Sequence, residues 1–298
     1  MKLARYTVDG RTTIGVVQHD QVFDIDRLDA SAPKTLRALL AAGPAGRERI
    51  AMALRSATGG RPLASVRLEA PIPDAQKYLA IGMNYHDHAE EARKAGVPIP
   101  AHQLWFNKQV TCINGPYAPI YKPRVSEKMD YEAELGVVIG KRCRYVSLED
   151  APGVVGGYFV ANDVSARDWQ FKSPTFTLGK SFDSHGPIGP WITTPDEVPD
   201  PHALLMQLWV NGELRQQAST SGMIYNIWQQ IHELSQVMTL EPGDLIATGT
   251  CAGVGVVHGK FLQPGHGSAT PLRDGDGQLL MPPDVIQHPM LRQLIGQF

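Results

Sequence analysis

Turn-forming residues run through the whole chain and constrain its fold more than any other feature. There are 29 glycines and 23 prolines among 298 residues, about 17% where average chains carry ~12%. They recur without a period, and no 20–50-residue repeat or low-complexity segment is present. Short β-rich runs between these turns outnumber segments with helical spacing. A sheet-dominated α+β architecture with a few helices is the expectation.

Charge narrows the function. With 28 basic and 30 acidic side chains and a formal net charge of -2, the chain has no basic field to hold a phosphate backbone, which argues against nucleic acid as the main partner. A small-molecule partner is expected. The start Met1-Lys2-Leu3-Ala4-Arg5 lacks an apolar signal region, and no stretch approaches the roughly 20 apolar residues of a membrane span. Cys112, Cys143 and Cys251 are odd in number and far apart, fitting neither a disulfide framework nor a C-x-x-C site. No N-x-[ST] sequon occurs, so a soluble cytoplasmic protein without membrane contact is expected.

Leu3 to Val8, Thr12 to Val17 and Gln21 to Ile25 read as a β-meander with an Asp9-Gly10 hairpin turn. Residues 35–57 carry Leu36, Leu39, Leu40, Ile50, Met52 and Leu54, broken by Gly43-Pro44, as two short helices would. Gly59-Gly60-Arg61-Pro62 marks a candidate boundary, giving a small domain over 1–70 and a larger one over 71–298. In 222–238, Met223, Ile224, Ile227, Trp228, Ile231, Leu234, Val237 and Met238 recur at helical spacing, the pattern of a core-packed helix.

Chemistry concentrates in four segments. Alternation over 130–140 puts Asp130, Glu132 and Glu134 on one strand face. Neighbouring carboxylates repel, so that face is either solvated or neutralised by a cation. The apolar run 156–162 ends in Asp163, a turn cap or a third ligand. An all-carboxylate site suits Mg²⁺, with Mn²⁺ or Ca²⁺ as alternatives, and does not suit Zn²⁺. Asn84 is placed to cap a polar helix in which His88 and Glu91 share a face, although His86 with Glu90, or Asp87 with Glu91, would pair equally well by spacing. Gly179-Lys180-Ser181 sets a lysine among few charges, and 243–250 ends an apolar strand in a Gly/Thr loop. The nucleotide fingerprints, H-E-x-x-H and G-x-S-x-G are all absent.

In this order, the segments resemble the fumarylacetoacetate hydrolase family from about residue 72 to 264. The matching pieces are Ile81-Gly82-Met83-Asn84-Tyr85, 131–141, Gly157-Tyr158 with 162–168, 179–183, 210–213, and Pro242-Gly243-Asp244 with Thr248-Gly249-Thr250. The resemblance implies a mixed β-sandwich roll as catalytic domain, a small N-terminal α+β domain, a homodimer and a role in aromatic catabolism. It implies a divalent ion, Mg²⁺ or Mn²⁺, on Glu132, Glu134 and Asp163, and a lid helix carrying His88 and Glu91. Lys180 matches the family's active-site lysine, while Tyr85, Gly249 and Thr250 fall at the substrate. Two departures stand out: Cys251 replaces the usual proline, and the tail after residue 264 is atypical.

The expected activity is metal-dependent hydrolysis of a carbon–carbon bond in a 1,3-dicarbonyl 2-oxo acid such as an acylpyruvate or fumarylpyruvate. A lyase or isomerase of the same family is the alternative: an oxaloacetate-type decarboxylase, or a 2-oxo-4-enoate hydratase or isomerase. A non-catalytic metal-binding dimer is the third reading. Trp105, Phe106, Tyr117 and Trp169 either line the substrate's apolar end or pack in the core.

Overall fold

The structure, a computed structural model, describes residues 1–267 and the backbone of 268–269, 272–273 and 279–281. The meander forms as its pattern requires. Lys2–Val8, Arg11–Gln18 and Gln21–Asp24 pair antiparallel, and Asp9 and Gly10 take φ of 50° and 72°, which a two-residue hairpin of type I′ needs. Helices Leu36–Ala41 and Pro44–Leu54 follow, the first capped by the Thr35 side chain, and they bury Leu36, Leu39, Leu40 and Ile50.

These strands continue into the large sheet. Its order is Arg61–Pro62, Gln21–Asp24, Arg11–Gln18, Lys2–Val8, Gly186–Thr193, Val155–Asn162, Ala133–Ile139, Leu245–Thr250, Tyr78–Gly82 and Leu104–Lys108. Lys2 pairs with Thr193 and Leu3 with Ile192, and the 59–62 segment ends as an edge strand against Gln21 and Val22. A smaller sheet is built on Leu205–Val210 and Glu213–Ser219. Ser268–Ala269 adds to it against Trp209 and Val210. Much of the atypical tail lies outside the described residues.

The central strands are buried along their whole length because both faces of the large sheet are covered. Leu135, Val137 and Ile139 point into a core shared with Leu208, Val210, Ile231 and Leu234. Val138, Phe159 and Ala161 point the other way, against Leu36, Leu39 and Leu40. Burying each such leucine or isoleucine stabilises the fold by about 2 kcal/mol. The helix expected within 222–238 spans Ile227–Val237, because Asn226 and Gln229 form a capping box that fixes its start. It buries Ile227, Ile231 and Leu234, as a core-packed helix does.

Candidate metal centre and lid helix

Strand pairing assembles three acids that are distant in sequence. Ala133 pairs with Asn162, and Asp163 N donates to Glu132 O at 2.9 Å. One carboxylate oxygen from each of Glu132, Glu134 and Asp163 lies within 4.8 Å of the others, and all three residues are buried. The solvated strand face is therefore excluded, and Asp163 sits in an acidic cluster. Asp130 does not join it. Regular pairing breaks between Met129–Asp130 and Ala133–Ile139, so Asp130 turns to Arg167, whose Nε lies 2.8 Å away.

Buried cations surround the acids. Lys180 Nζ lies 2.7 Å from both Glu132 Oε2 and Asp163 Oδ2. Lys108 Nζ lies 2.6 Å from Asp163 Oδ1, and the Arg167 guanidinium 2.7 Å from Glu132 Oε1. Lys180 was legible in sequence, whereas Lys108 and Arg167 were not. The available signal for Lys108 was a charged residue closing the Leu104–Lys108 strand, the same pattern that singled out Asp163.

Glu134 differs from its neighbours. It has no ion-pair partner among the described residues and instead accepts Gly249 N–H at 2.8 Å. Burial, with Asp163 and Glu132 beside it, pushes its carboxyl well above the usual range. Burial also disfavours the charge on Glu132, but Lys180 and Arg167 outweigh it and hold that group low. Three oxygen-donor carboxylates forced together, one of them lacking a counter-charge, fit a hard divalent cation. The family's metal therefore finds a matching donor set here.

The strand Tyr78–Gly82 feeds the helix His86–Lys94, which buries only Ala89 and Ala92. Asn84 is not its cap. Tyr85 takes that position without a side-chain cap bond, while fully buried Asn84 donates to Tyr225 O at 3.0 Å and Thr248 O at 2.7 Å and accepts Tyr225 N at 2.8 Å. Its amide thus docks the base of the helix onto the sheet. Of the pairings that spacing allowed, His88 with Glu91 forms, Nδ1 to Oε2 at 3.2 Å, while Glu90 binds Arg93 at 2.8 Å. Burial raises the Glu91 carboxyl, but the His88 and Gly253 hydrogen bonds prevail and keep it below its ordinary value. The partner of His88 is therefore an anion.

Gly249 has φ of 102°, and a Cβ there would approach Asn84 Cβ to 2.6 Å. Only glycine lets the loop meet the base of this helix while offering its N–H to Glu134. Thr250 Oγ1 donates to Ala133 O and accepts Gln216 Nε2, both at 2.8 Å. Tyr85 is fully buried, and its hydroxyl has no hydrogen-bond partner among the described residues. Burial pushes the Cys251 thiol up to about 12, so it packs as an apolar group. Phe106 borders the site, its ring 5.0 Å from Lys180 Nζ. Trp105 packs on the main core and Tyr117 beside the Trp191 cluster, while Trp169 Nε1 donates to Val125 O at 3.0 Å.

Residues 77–277 match the family described as fumarylacetoacetate (FAA) hydrolase C-terminal. Over 237 residues the chain is 41% identical to oxaloacetate tautomerase FAHD2B, mitochondrial, of Bos taurus, spanning 79% of this chain and 74% of that one. The solved maleylpyruvate hydrolase of Sphingobium sp. SYK-6, in complex with manganese(II) ion and pyruvate, is similar with a TM-score of 0.77 and 36% identity, over 91% of this chain and 95% of that one. The 5-carboxymethyl-2-hydroxymuconate delta-isomerase of Mycobacterium smegmatis gives a TM-score of 0.72 and 33% identity, over 91% and 94%. By sequence and by fold, the chain belongs to the fumarylacetoacetate hydrolase family.

Proposed function

We propose that this chain is a divalent-metal-dependent hydrolase cleaving a carbon–carbon bond in a 1,3-dicarbonyl 2-oxo acid of the acylpyruvate or fumarylpyruvate type. The observation that carries this reading is the His88–Glu91 pair on a helix whose base Asn84 docks against Thr248 O, next to the Gly249 N–H that Glu134 of the acidic triad accepts. The likeness to a maleylpyruvate hydrolase with manganese and pyruvate supports it.

Glu132, Glu134 and Asp163 would hold the ion, Mg²⁺ or Mn²⁺. Bound there, it supplies Lewis-acid polarisation of the 2-oxo acid's oxygens. Glu91 engages Nδ1 of His88 and leaves Nε2 to take a proton from water. The water oxygen bonds to the distal carbonyl carbon, and the carbon–carbon bond breaks with its electron pair leaving on the pyruvyl fragment. Lys180 Nζ counters the negative charge that develops there, a contribution of about 3 kcal/mol for a well-placed donor. His88 then returns its proton to the leaving carbon. Gly249 acts by holding Glu134, Thr250 forms pocket wall, and Tyr85, whose hydroxyl has no partner among the described residues, donates to the substrate. The lid excludes bulk water. A cytoplasmic homodimer belongs to the same reading.

The likeness to a tautomerase and an isomerase favours one alternative, a lyase or isomerase using the same acids without an activated water. The test follows loss of the enol absorbance of a small acylpyruvate with EDTA, Mg²⁺ or Mn²⁺, with oxaloacetate in parallel. Metal-dependent cleavage that falls by about 100-fold or more in His88→Ala supports hydrolysis. Turnover of oxaloacetate alone, indifferent to His88, supports the alternative.

A further inference from the structure

Glu91 does not serve His88 alone. Its other oxygen, Oε1, lies 3.5 Å from Nε2 of His258, and Gly253 N–H lies 3.3 Å and 3.4 Å from the two oxygens. His258 closes the short helix Gly255–His258, a separate segment from the lid.

That segment is firmly anchored. Fully buried Asp130 accepts Gly255 N at 2.6 Å and Val256 N at 2.8 Å while its Oδ2 also takes Arg167 Nε at 2.8 Å. A Cβ on Gly255 would come within 2.5 Å of Asp130 Oδ1 and of Lys260 O, so the close approach requires glycine. Arg167 in turn binds Glu132. Polar contacts thus run from the triad through Arg167 and Asp130 to the backbone of the His258 helix, and return through Glu91 to His88. The acid that left the cluster fixes the segment that faces the lid.

We propose that His258 is a positioning residue: it holds Oε1 of Glu91, so that Oε2 stays on His88 Nδ1 and the lid helix stays docked on 253–258. This rests on the assignment of His88 as the base. With His88 and a Gly253 N–H shared between its two oxygens, the carboxylate can still exchange them, whereas a second imidazole on Oε1 makes the two oxygens inequivalent. His258 is 52% exposed, and exposed pairs add little to global stability. Its removal therefore acts on lid geometry and leaves the fold intact.

The test compares His258→Ala and His258→Gln in the full chain with Mn²⁺. In the alanine variant kcat toward a small acylpyruvate falls about 10-fold with KM within about 2-fold, the pattern of a misplaced orienting group. Amide exchange across His86–Lys94 accelerates, and the melting temperature stays within about 2 °C of native. Glutamine, whose Nε2–H reaches the same carboxylate, restores most of both. Unchanged lid exchange in His258→Ala overturns the proposal whatever the reaction is, because that readout needs no substrate. Unchanged kcat in an active enzyme overturns it too. Absence of acylpyruvate turnover in the native protein defeats the hydrolase reading alone and leaves lid exchange to decide.

Discussion

At the residue scale, buried charge gives the site its character. Lys108 is 2% exposed and bound to Asp163, and removing it leaves buried Asp163 with Lys180 alone as ion-pair partner among the described residues, a cation already shared with Glu132. Lys108→Met should therefore cost about 3 kcal/mol of stability in EDTA, with part recovered by saturating Mn²⁺, which replaces the lost positive charge. Urea unfolding with and without the ion checks this, and equal losses in both would contradict it. His185 is a separate case. Its Nε2–H donates to Tyr121 O at 3.0 Å, and burial, with Lys108 nearby, brings its pKa from 6.5 to about 4. The folded state thus favours the neutral ring. The resulting stability is complete above about pH 6.5 and is lost as pH falls toward 4, on the order of 3 kcal/mol in all. His185→Gln should flatten this part of the acid limb, and identical pH dependence in the two proteins would contradict the assignment. Neither burial was legible in the sequence: Lys108 closes a strand, but neither it nor His185 carries a local sign of what distant strands place around it.

At the element scale, local signals were read best where the determinant was itself local. The Asp9-Gly10 hairpin and the helices at 36–54 follow from turn chemistry and periodicity, and the Ile227–Val237 helix needed only its capping box to set its start. Asn226→Ala should lower stability by about 1 kcal/mol through loss of that cap, seen as a shift of about 2 °C in the melting temperature. No shift would mean the cap is redundant with core packing. Asn84 was misread for the opposite reason. It resembles a cap in sequence, yet its amide is claimed by Tyr225 and Thr248, partners more than a hundred residues away. Gly249→Ala tests that junction. A Cβ pressed against Asn84 in left-handed backbone should cost 2 kcal/mol or more, roughly the penalty of combined strain and overpacking. It should also loosen the N–H hold on Glu134, so Mn²⁺ affinity falls along with stability. A stable variant with native affinity would show that the loop relaxes freely.

At the scale of the whole molecule, one sheet brings Glu134, Asp163, Lys108 and the base of the His86–Lys94 helix together from strands scattered over most of the chain. Alternation in 130–140 revealed that acids share a face, and the terminal position of Asp163 suggested a third, so the triad was legible in outline. The departure of Asp130 was not, since it depends on a break in pairing that alternation cannot foresee. Coverage of both sheet faces explains why these acids are buried. Among the described residues no helix is long and apolar enough to cross a membrane. The fold forces three buried carboxylates together, an arrangement that a divalent ion would neutralise. Electron paramagnetic resonance of free Mn²⁺ added to EDTA-stripped protein tests it most directly. Each native chain should capture an ion, and Glu134→Gln should weaken capture by more than about 100-fold, beyond the effect of losing an outer-shell partner. A native chain that leaves Mn²⁺ free, or a Glu134→Gln variant that binds it equally well, would mean that the three acids do not hold a metal ion.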